Sequence, residues 1–576
     1  MTFITKAEQD ILSLLKANNI PVDSIKLMQT DKFDADYQLN EAFKLAGSLK
    51  KNPIEVAELI KNLIVSLPYF KSVFVTNPGF INLILNQTAV IEYFNSLNFE
   101  LKDHIDYQSK QTVLIDYGGP NVSKVLHLGH MRPANIGEAL KRLLKALGIN
   151  VISDIHIGDS GTPAGIVLAE IRHRHPHLDF FEIKETYPDT IPYTVDDLKD
   201  IYPSGTKRAK ENLEVMEEAK LYTKLLQKNH PGLTKLWHLF MKLSIKEIKI
   251  TYQDLNIDFD LWEGETDSFP YLQEMEDILN SKNLIRISDG AQIVDISKPT
   301  DKKEIPPFMV YKSDGAALYS TTDLATIISR IKRFEIDEMW YVTDKRQALH
   351  FEQLFRVSKL AGLTDNINMV HIGFGTMSGP DGKPFKTRDG GVLPLADLLS
   401  QAKTKTKTKL SSMIPEAKRD EINHQVAVSV IKYADLLPIS TTDYIFDLDK
   451  FSDTDGKTGP YLLYSSVRIK SLLRKANDLN YKQINKLIGD SDYQVLLTLL
   501  NLPVTLTNAY YNRSLNEICE YLYKLNSAYN KFYAEHPILT NNDIDLKLSH
   551  LALSKLVLNA NLLLLDILAI NVPEQM

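Results

Sequence analysis

Two stretches of this chain carry residue types suited to holding phosphate. In His127-Leu128-Gly129-His130 two imidazoles stand three residues apart, where the pattern predicts the first turn of a helix. Phosphate oxygens favour helix N-termini, where N–H groups and the positive end of the dipole point outward. His127 and His130 could hydrogen-bond such oxygens, Gly129 leaves room for a flat base against the backbone, and Lys124 adds a cation. The second stretch, Gly379-Pro380-Asp381-Gly382-Lys383-Pro384-Phe385-Lys386-Thr387-Arg388-Asp389-Gly390-Gly391, is mobile by composition. A mobile ammonium at Lys386 suits charge that builds briefly, as when attack on an α-phosphate expels pyrophosphate. Taken singly, these stretches read equally as a helix start with surface histidines and a polar surface loop. Their occurrence in order, each after a strand, carries the signal.

The elements that must position them form a repeating pattern. The apolar run Thr112–Tyr117 reads as a strand, broken by Gly118-Gly119-Pro120. A helix follows over 127–147, stopped by Gly148, and then a strand over 150–156. A strand–helix–strand unit of this kind implies a parallel sheet. A second unit has strands over 338–342 and 368–374 and a helix over 347–361. The stretch between, about 160–315, reads as a mostly helical insertion with a β-rich part near 285–311. Before the sheet, residues 1–105 read as a small α/β module. It has helices over 6–17 and 40–50, another starting at Pro53, and two strands around a turn over 73–85. From 425 to 576 the chain is almost all helix, rich in Leu and Tyr. The domains expected are therefore 1–105, 106–424 and 425–576.

Composition sets the frame. At 576 residues the chain exceeds what one core sustains, about 250–300 residues. No leading apolar run with basic flanks and no long uncharged span is found, so neither a signal peptide nor a membrane helix is expected. The single cysteine, Cys519, can form neither an internal disulfide nor a cysteine metal site, which points to a reducing, cytosolic compartment. A net charge of −7 argues mildly against a general polyanion binder but leaves room for local basic patches.

Together the two phosphate stretches look like the ATP-handling signatures of class I aminoacyl-tRNA synthetases. Further motifs resemble one family of that class, the arginyl-tRNA synthetases, over nearly the whole chain. They are Asp116-Tyr117-Gly118-Gly119-Pro120-Asn121-Val122-Ser123-Lys124, Ile155-His156-Ile157-Gly158-Asp159-Ser160-Gly161-Thr162, Tyr319-Ser320-Thr321-Thr322-Asp323-Leu324-Ala325, Thr343-Asp344-Lys345-Arg346-Gln347-Ala348-Leu349-His350-Phe351, and Gly459-Pro460-Tyr461 through Arg468. The resemblance implies a Rossmann-type catalytic sheet split by a connective insertion, an N-terminal domain that touches the outer corner of tRNA, and a C-terminal helical bundle that reads the anticodon. Two positions depart from the pattern. Lys383-Pro384-Phe385-Lys386-Thr387 keeps both lysines of the class signature Lys-Met-Ser-Lys-Ser but changes its middle, and Leu463 stands where many relatives carry Gln.

The resemblance also implies roles. Lys124, His127, Gly129, His130 and Lys386 would handle ATP, with His127, His130, Lys386 and Lys124 catalytic. Many relatives lack the second loop lysine and compensate at the position of Lys124; this chain has both. Tyr319 and Asp323 would face the guanidinium of arginine, with Asp116 as a second carboxylate, while Asn121 and Gln347 would hold the α-amino group. The chemistry agrees, because planar guanidinium donors match carboxylates and charge-assisted pairs are strong. On a helix, the four-residue spacing of Tyr319 and Asp323 puts both on one face. Read without the resemblance, Asp323 is a helix cap or surface residue and Gln347 a first-turn residue.

At the other end, unstacked anticodon bases are read by stacking on aromatic rings. The resemblance points to Tyr464, Tyr529, Tyr533 and Met576, and Tyr529 and Tyr533, one turn apart, could form one platform. Tyr510, Tyr521 and Tyr523 read as bundle core. Arg172-His173-Arg174-His175-Pro176-His177 reads as a solvated turn rather than a metal site, and Lys403-Thr404-Lys405-Thr406-Lys407-Thr408-Lys409 as either a solvated linker or a contact to tRNA phosphates. The expected activity is formation of arginyl-adenylate from arginine and ATP, Mg2+ accompanying the ATP, then transfer to the 2′-hydroxyl of the terminal adenosine of tRNA(Arg). Activation is expected to await bound tRNA. A monomer is expected, with no membrane partner; no side chain is assigned as a metal ligand, and the sequence does not decide whether protein groups or ATP alone hold the Mg2+. The rivals are a nucleotidyltransferase sharing the His-x-Gly-His helix and a non-catalytic tRNA-binding relative.

Overall fold

Val113, Leu114 and Ile115 are fully buried, as expected of a strand covered on both faces in a parallel sheet. In the computed structural model this strand, β1 (Thr112–Tyr117), lies inside a four-stranded parallel sheet. The structure describes residues 1–576 except 31, 106, 108, 123–125, 314, 316 and 384–392, with the backbone alone at 102, 103, 199 and 227. The chain continues through α1 (Leu128–Ala146) to β2 (Asn150–Asp154) on one side of β1. After the insertion, α2 (Tyr319–Arg333) leads to β3 (Glu338–Asp344) on the other side, and α3 (Ala348–Leu360) to the edge strand β4 (Asn368–Phe374). The strand order β4-β3-β1-β2 reverses direction between β1 and β3. Such a reversal opens a crevice at the carboxyl ends of the strands, where open α/β sheets bind ligands.

One row of side chains crosses that end of the sheet. Parallel register places Tyr341 of β3 beside Asp116 of β1, and Asp116 beside Asp154 of β2. Arg330 of α2, fully buried, lies over the row. Its Nη2 donates to Asp116 Oδ2 at 2.5 Å and to Asp154 Oδ2 at 2.6 Å, and its Nη1 to Tyr341 Oη at 3.3 Å.

The N-terminal module is an antiparallel four-stranded sheet, with a hairpin of Phe70–Thr76 and Phe80–Leu85 and helices Phe3–Ala17, Glu41–Leu49 and Pro53–Ile64. Pro53 occupies the first turn of its helix, capped by Asn52. The insertion is helical, with a three-stranded antiparallel sheet over Ile285–Ser288, Ala291–Val294 and Phe308–Tyr311. The histidine-rich run proves to be the end of helix Thr162–Arg174 and the residues after it. The Lys/Thr run is no linker. It forms the last turns of helix Leu395–Lys407, where Thr406 is buried, Lys405 pairs with Asp449, and Lys409 donates to the Ser452 carbonyl at 2.9 Å. From Glu416 onward the chain is a helical bundle. Its last helix, Ile544–Ile567, is long and apolar enough by composition to cross a membrane, but 72% of its most apolar window is buried inside the bundle.

The α1 helix is buried on nearly every side because it sits between the sheet and this bundle. Asn135 donates to Asp435 at 2.9 Å, and Arg142 reaches the Asp566 carboxylate at 2.7 Å.

Removing a guanidinium from between two buried carboxylates leaves them uncompensated. Arg330→Met is expected to lower stability by about 3–5 kcal/mol, read as a shift in the denaturant midpoint; an unchanged midpoint would mean that Arg330 does not bind the row.

Candidate active site

The helix α2 carries three residues on one stripe, spaced by four and seven. Exposure falls along it, from Tyr319 at 63% through the Asp323 side chain at 21% to Arg330 at 0%. Tyr319 and Asp323 of the stripe line a cavity of about 880 Å³ at the carboxyl ends of β1 and β3, and Arg330 lies buried behind it. The same cavity is lined by Asp116, Asn121, His127, Gly129, His130 and Gln347. The structure therefore brings together the arginine and ATP residues expected from the sequence, apart from Lys124 and Lys386, which lie outside the described residues.

At the start of α1 the two imidazoles cap the helix. His127 Nδ1 accepts from the Gly129 N–H at 3.1 Å, and His130 Nδ1 accepts from the His127 N–H at 3.2 Å. Both Nδ1 atoms are thus acceptors, which sets each neutral ring in the tautomer with its N–H on Nε2. The rings lie 4.0 Å apart. A Cβ on Gly129 would come within 2.9 Å of the His127 ring, so only glycine lets that ring fold over the backbone. Asn121 is held by backbone pairing with Gly158, where a Cβ would meet Asn121 Oδ1 at 2.4 Å. Gln347 ends the 3-10 turn Lys345–Gln347 after β3 and is exposed at the cavity rim.

Asp323 has two imidazole neighbours. His350 Nε2 lies 2.6 Å from Oδ2, and His156 Nε2 lies 3.6 Å from Oδ1. Burial opposes the charge on Asp323, but the two histidines outweigh it and hold its pKa down at about 2. Burial likewise opposes charge on His156, but Asp323 and Asp116 outweigh it and hold the imidazolium to about 9. Asp323 and His156 thus hold each other in their charged forms, whereas burial raises the pKa of Asp116 against the opposing pull of Arg330 and His156. A further carboxyl lining the cavity, Glu265, has as its partner Ser160, and burial raises its pKa to about 7.

Two expectations need correction. Asp116 lines the cavity, but the guanidinium it binds is that of Arg330, so it is not an unengaged second carboxylate for a substrate. Tyr529 is fully buried and donates to Ser554 Oγ at 3.0 Å; its ring lies 6.1 Å from that of Tyr533 but presents no exposed face to a base. The exposed grouping is different: Arg468 lies over the rings of Tyr464 at 4.7 Å and Tyr533 at 5.4 Å. Met576 packs, half-buried, against the bundle. Leu463, in place of a more usual Gln, is buried in the bundle. Sequence reasoning missed roles for Arg330, His156, His350 and Glu265. The two histidines stand inside the quoted motifs, but nothing in their spacing revealed that both face one carboxylate.

Comparison with known proteins places the whole chain. The family model for class I tRNA synthetases (R), catalytic domain, matches residues 95–448, the DALR anticodon binding domain matches 462–576, and the arginyl tRNA synthetase N-terminal domain matches 4–85. The chain is 41% identical over 549 residues to the arginine--tRNA ligase of Alkaliphilus oremlandii, covering 94% of each chain. It is 39% identical over 555 residues to that of Francisella tularensis subsp. novicida, again covering 94% of each. The fold is shared with arginyl-tRNA synthetase structures from Plasmodium falciparum (TM-score 0.82, 24% identity) and Thermus thermophilus (TM-score 0.80, 21% identity), each covering 100% of both chains. With a class I catalytic domain, an anticodon-binding bundle and relatives of this similarity over nearly its full length, the chain belongs to the arginyl-tRNA synthetase family and is an arginine--tRNA ligase.

Proposed function

We propose that the guanidinium of arginine lies between Asp323 and Glu265 with Tyr319 at the mouth, while its α-amino group is held by Asn121 and Gln347. The observation that carries this reading is the α2 stripe, which brings Asp323 into one cavity with His127 and His130. Asp323, held ionised, and Glu265, which ionises near 7, line the same cavity, and that pair suits one cationic head. Asp116 acts indirectly, by fixing Arg330. A shorter or less planar amine cannot bridge two carboxylates, and sites built for polar pairing reject poor matches by up to ~10⁴–10⁵.

In this reading ATP lies at the N-terminus of α1, where the Nε2–H groups of His127 and His130 donate to phosphate oxygens. The arginine carboxylate attacks the α-phosphate in line and pyrophosphate leaves; positioning and neutralisation of charge do most of the work. Lys386 and Lys124 stay assigned to that charge. The Asp116–Asp154–His156 cluster has metal-like spacing but holds the Arg330 guanidinium, so Mg2+ is read as arriving on the ATP phosphates. Arginyl then passes to the 2′-hydroxyl of the terminal adenosine of tRNA(Arg). Tyr464, Tyr533 and Met576 are assigned to the anticodon, with Arg468 between the two rings. A cytosolic monomer completes the reading.

ATP–pyrophosphate exchange tests the activity: arginine should support it only with tRNA present, and exchange with another amino acid would overturn the specificity. Asp323→Asn is expected to raise KM for arginine by about 10–100-fold, the cost of a charged hydrogen bond. Glu265 loses its proton as pH rises through about 7, and only the anion attracts a guanidinium. KM for arginine should therefore fall between pH 6 and 8, and Glu265→Gln should flatten that profile at the higher value.

Gly129→Ala drives a methyl into the His127 ring. It should lower kcat/KM for ATP by up to ~10²-fold, the cost of a misplaced reactant, while folding is kept.

Tyr533→Ala should weaken tRNA binding by about 1–3 kcal/mol, the worth of one stacked base, measured by fluorescence anisotropy. Tyr529→Phe should leave that affinity unchanged.

A further inference from the structure

None of the chemistry above uses a cluster on the far side of the bundle. Asp492 stands in the first turn of α4 (Asp490–Leu500), His536 follows the last turn of α5 (Asn516–Glu535), and His550 lies in α6 (Ile544–Ile567). One ligand atom from each falls within 4.8 Å of the others.

His550 is 0% exposed, and among the described residues neither of its ring nitrogens has a hydrogen-bond partner. A buried polar group left so costs about 1–3 kcal/mol. Its Nε2 stands 3.5 Å from Asp492 Oδ2, too far for a hydrogen bond between a cationic ring and a carboxylate, which closes to about 2.8 Å. Two ligands held about 2.0–2.1 Å from a tetrahedral ion stand about 3.3 Å apart.

The rest of the cluster is built for the same purpose. The Asp492 carboxylate is fixed by the N–H groups of Ile488 at 2.8 Å, Gly489 at 3.2 Å and Tyr493 at 2.8 Å. Phe532 meets the His550 ring edge-on at 4.9 Å and 90°. The His536 ring lies 4.7 Å from that of His550, and its Nε2 lies 3.2 Å from Ser491 Oγ. Of the three, only His536 is partly exposed to solvent.

We propose that Asp492, His536 and His550 bind a first-row divalent transition ion, with zinc the best match to two imidazoles and a carboxylate. Metal binding needs neutral imidazole and ionised carboxylate. The ion ties three helices together one turn beyond Tyr533, so it would also stiffen the end of the helix assigned to the anticodon.

The test uses the full chain, stripped with chelator and titrated with Co2+ as a visible probe, with Zn2+ as competitor. One equivalent of Co2+ should bind with the intense visible absorption of a tetrahedral site, Zn2+ should displace it, and Zn2+ should raise the Tm. His536→Gln, at a half-exposed helix end, should keep the metal-free Tm and weaken Co2+ binding at least about tenfold, the low end of what outer-sphere changes already cost. The double variant His173→Gln, His175→Gln should bind as the parent does. The proposal is overturned if the parent chain gives no saturable signal, if His536→Gln binds equally well, or if the His173 and His175 changes abolish binding.

Discussion

A guanidinium buried over a row of acidic and phenolic side chains is the constraint on which the active site depends. Arg330 meets Asp116, Asp154 and Tyr341 on three neighbouring strands, and those residues are aligned only because the strands are parallel and in one register. The desolvation of three charged groups makes the arrangement unfavourable unless all partners are present. With all present, it holds the last turns of α2 against the strand ends. Two turns away on the same stripe, Asp323 is then fixed at the cavity edge, and one turn further Tyr319 reaches solvent. In the proposed reading, substrate charge is met by a side chain whose position was set by an internal copy of that charge.

The second constraint is at the start of α1. Caps on helices are normally small hydroxyl or carboxamide side chains. Here two imidazoles cap through Nδ1, which turns their remaining donors outward and costs the site any substituent at residue 129. The helix that they open is covered by the sheet on one side and by bundle helices on the other, so its N-terminus has little freedom to drift from the strand ends.

Much of this was legible in the sequence. The β1 strand and the hairpin of the N-terminal module follow from apolar runs and turn residues. The β4 strand falls on its expected bounds, and the β1-α1-β2 unit on nearly its expected ones. Spacing of four residues correctly put Tyr319 and Asp323 on one face. The same reasoning placed Tyr529 with Tyr533 but said nothing about which way that face turned, and Tyr529 points inward to Ser554. Asp116 was read as open to a ligand because a sequence does not reveal the partner of a carboxylate; Arg330 lies 214 residues away along the chain. The Lys/Thr run read as a linker or a phosphate contact because its charges hid an i, i+4 pattern whose buried member is a threonine. Glu265 left no signal, since its importance comes from the insertion folding back on the cavity.

The fastening of α1 to the bundle has a consequence for dissection of the enzyme. Its Arg142 is tied to Asp566, near the far end of the chain, and its Asn135 to Asp435. Cutting the chain before the bundle would uncover the back of the helix whose front edge carries His127 and His130. A catalytic half excised before the bundle would thus lose the partners of Asn135 and Arg142 and expose the apolar back of α1.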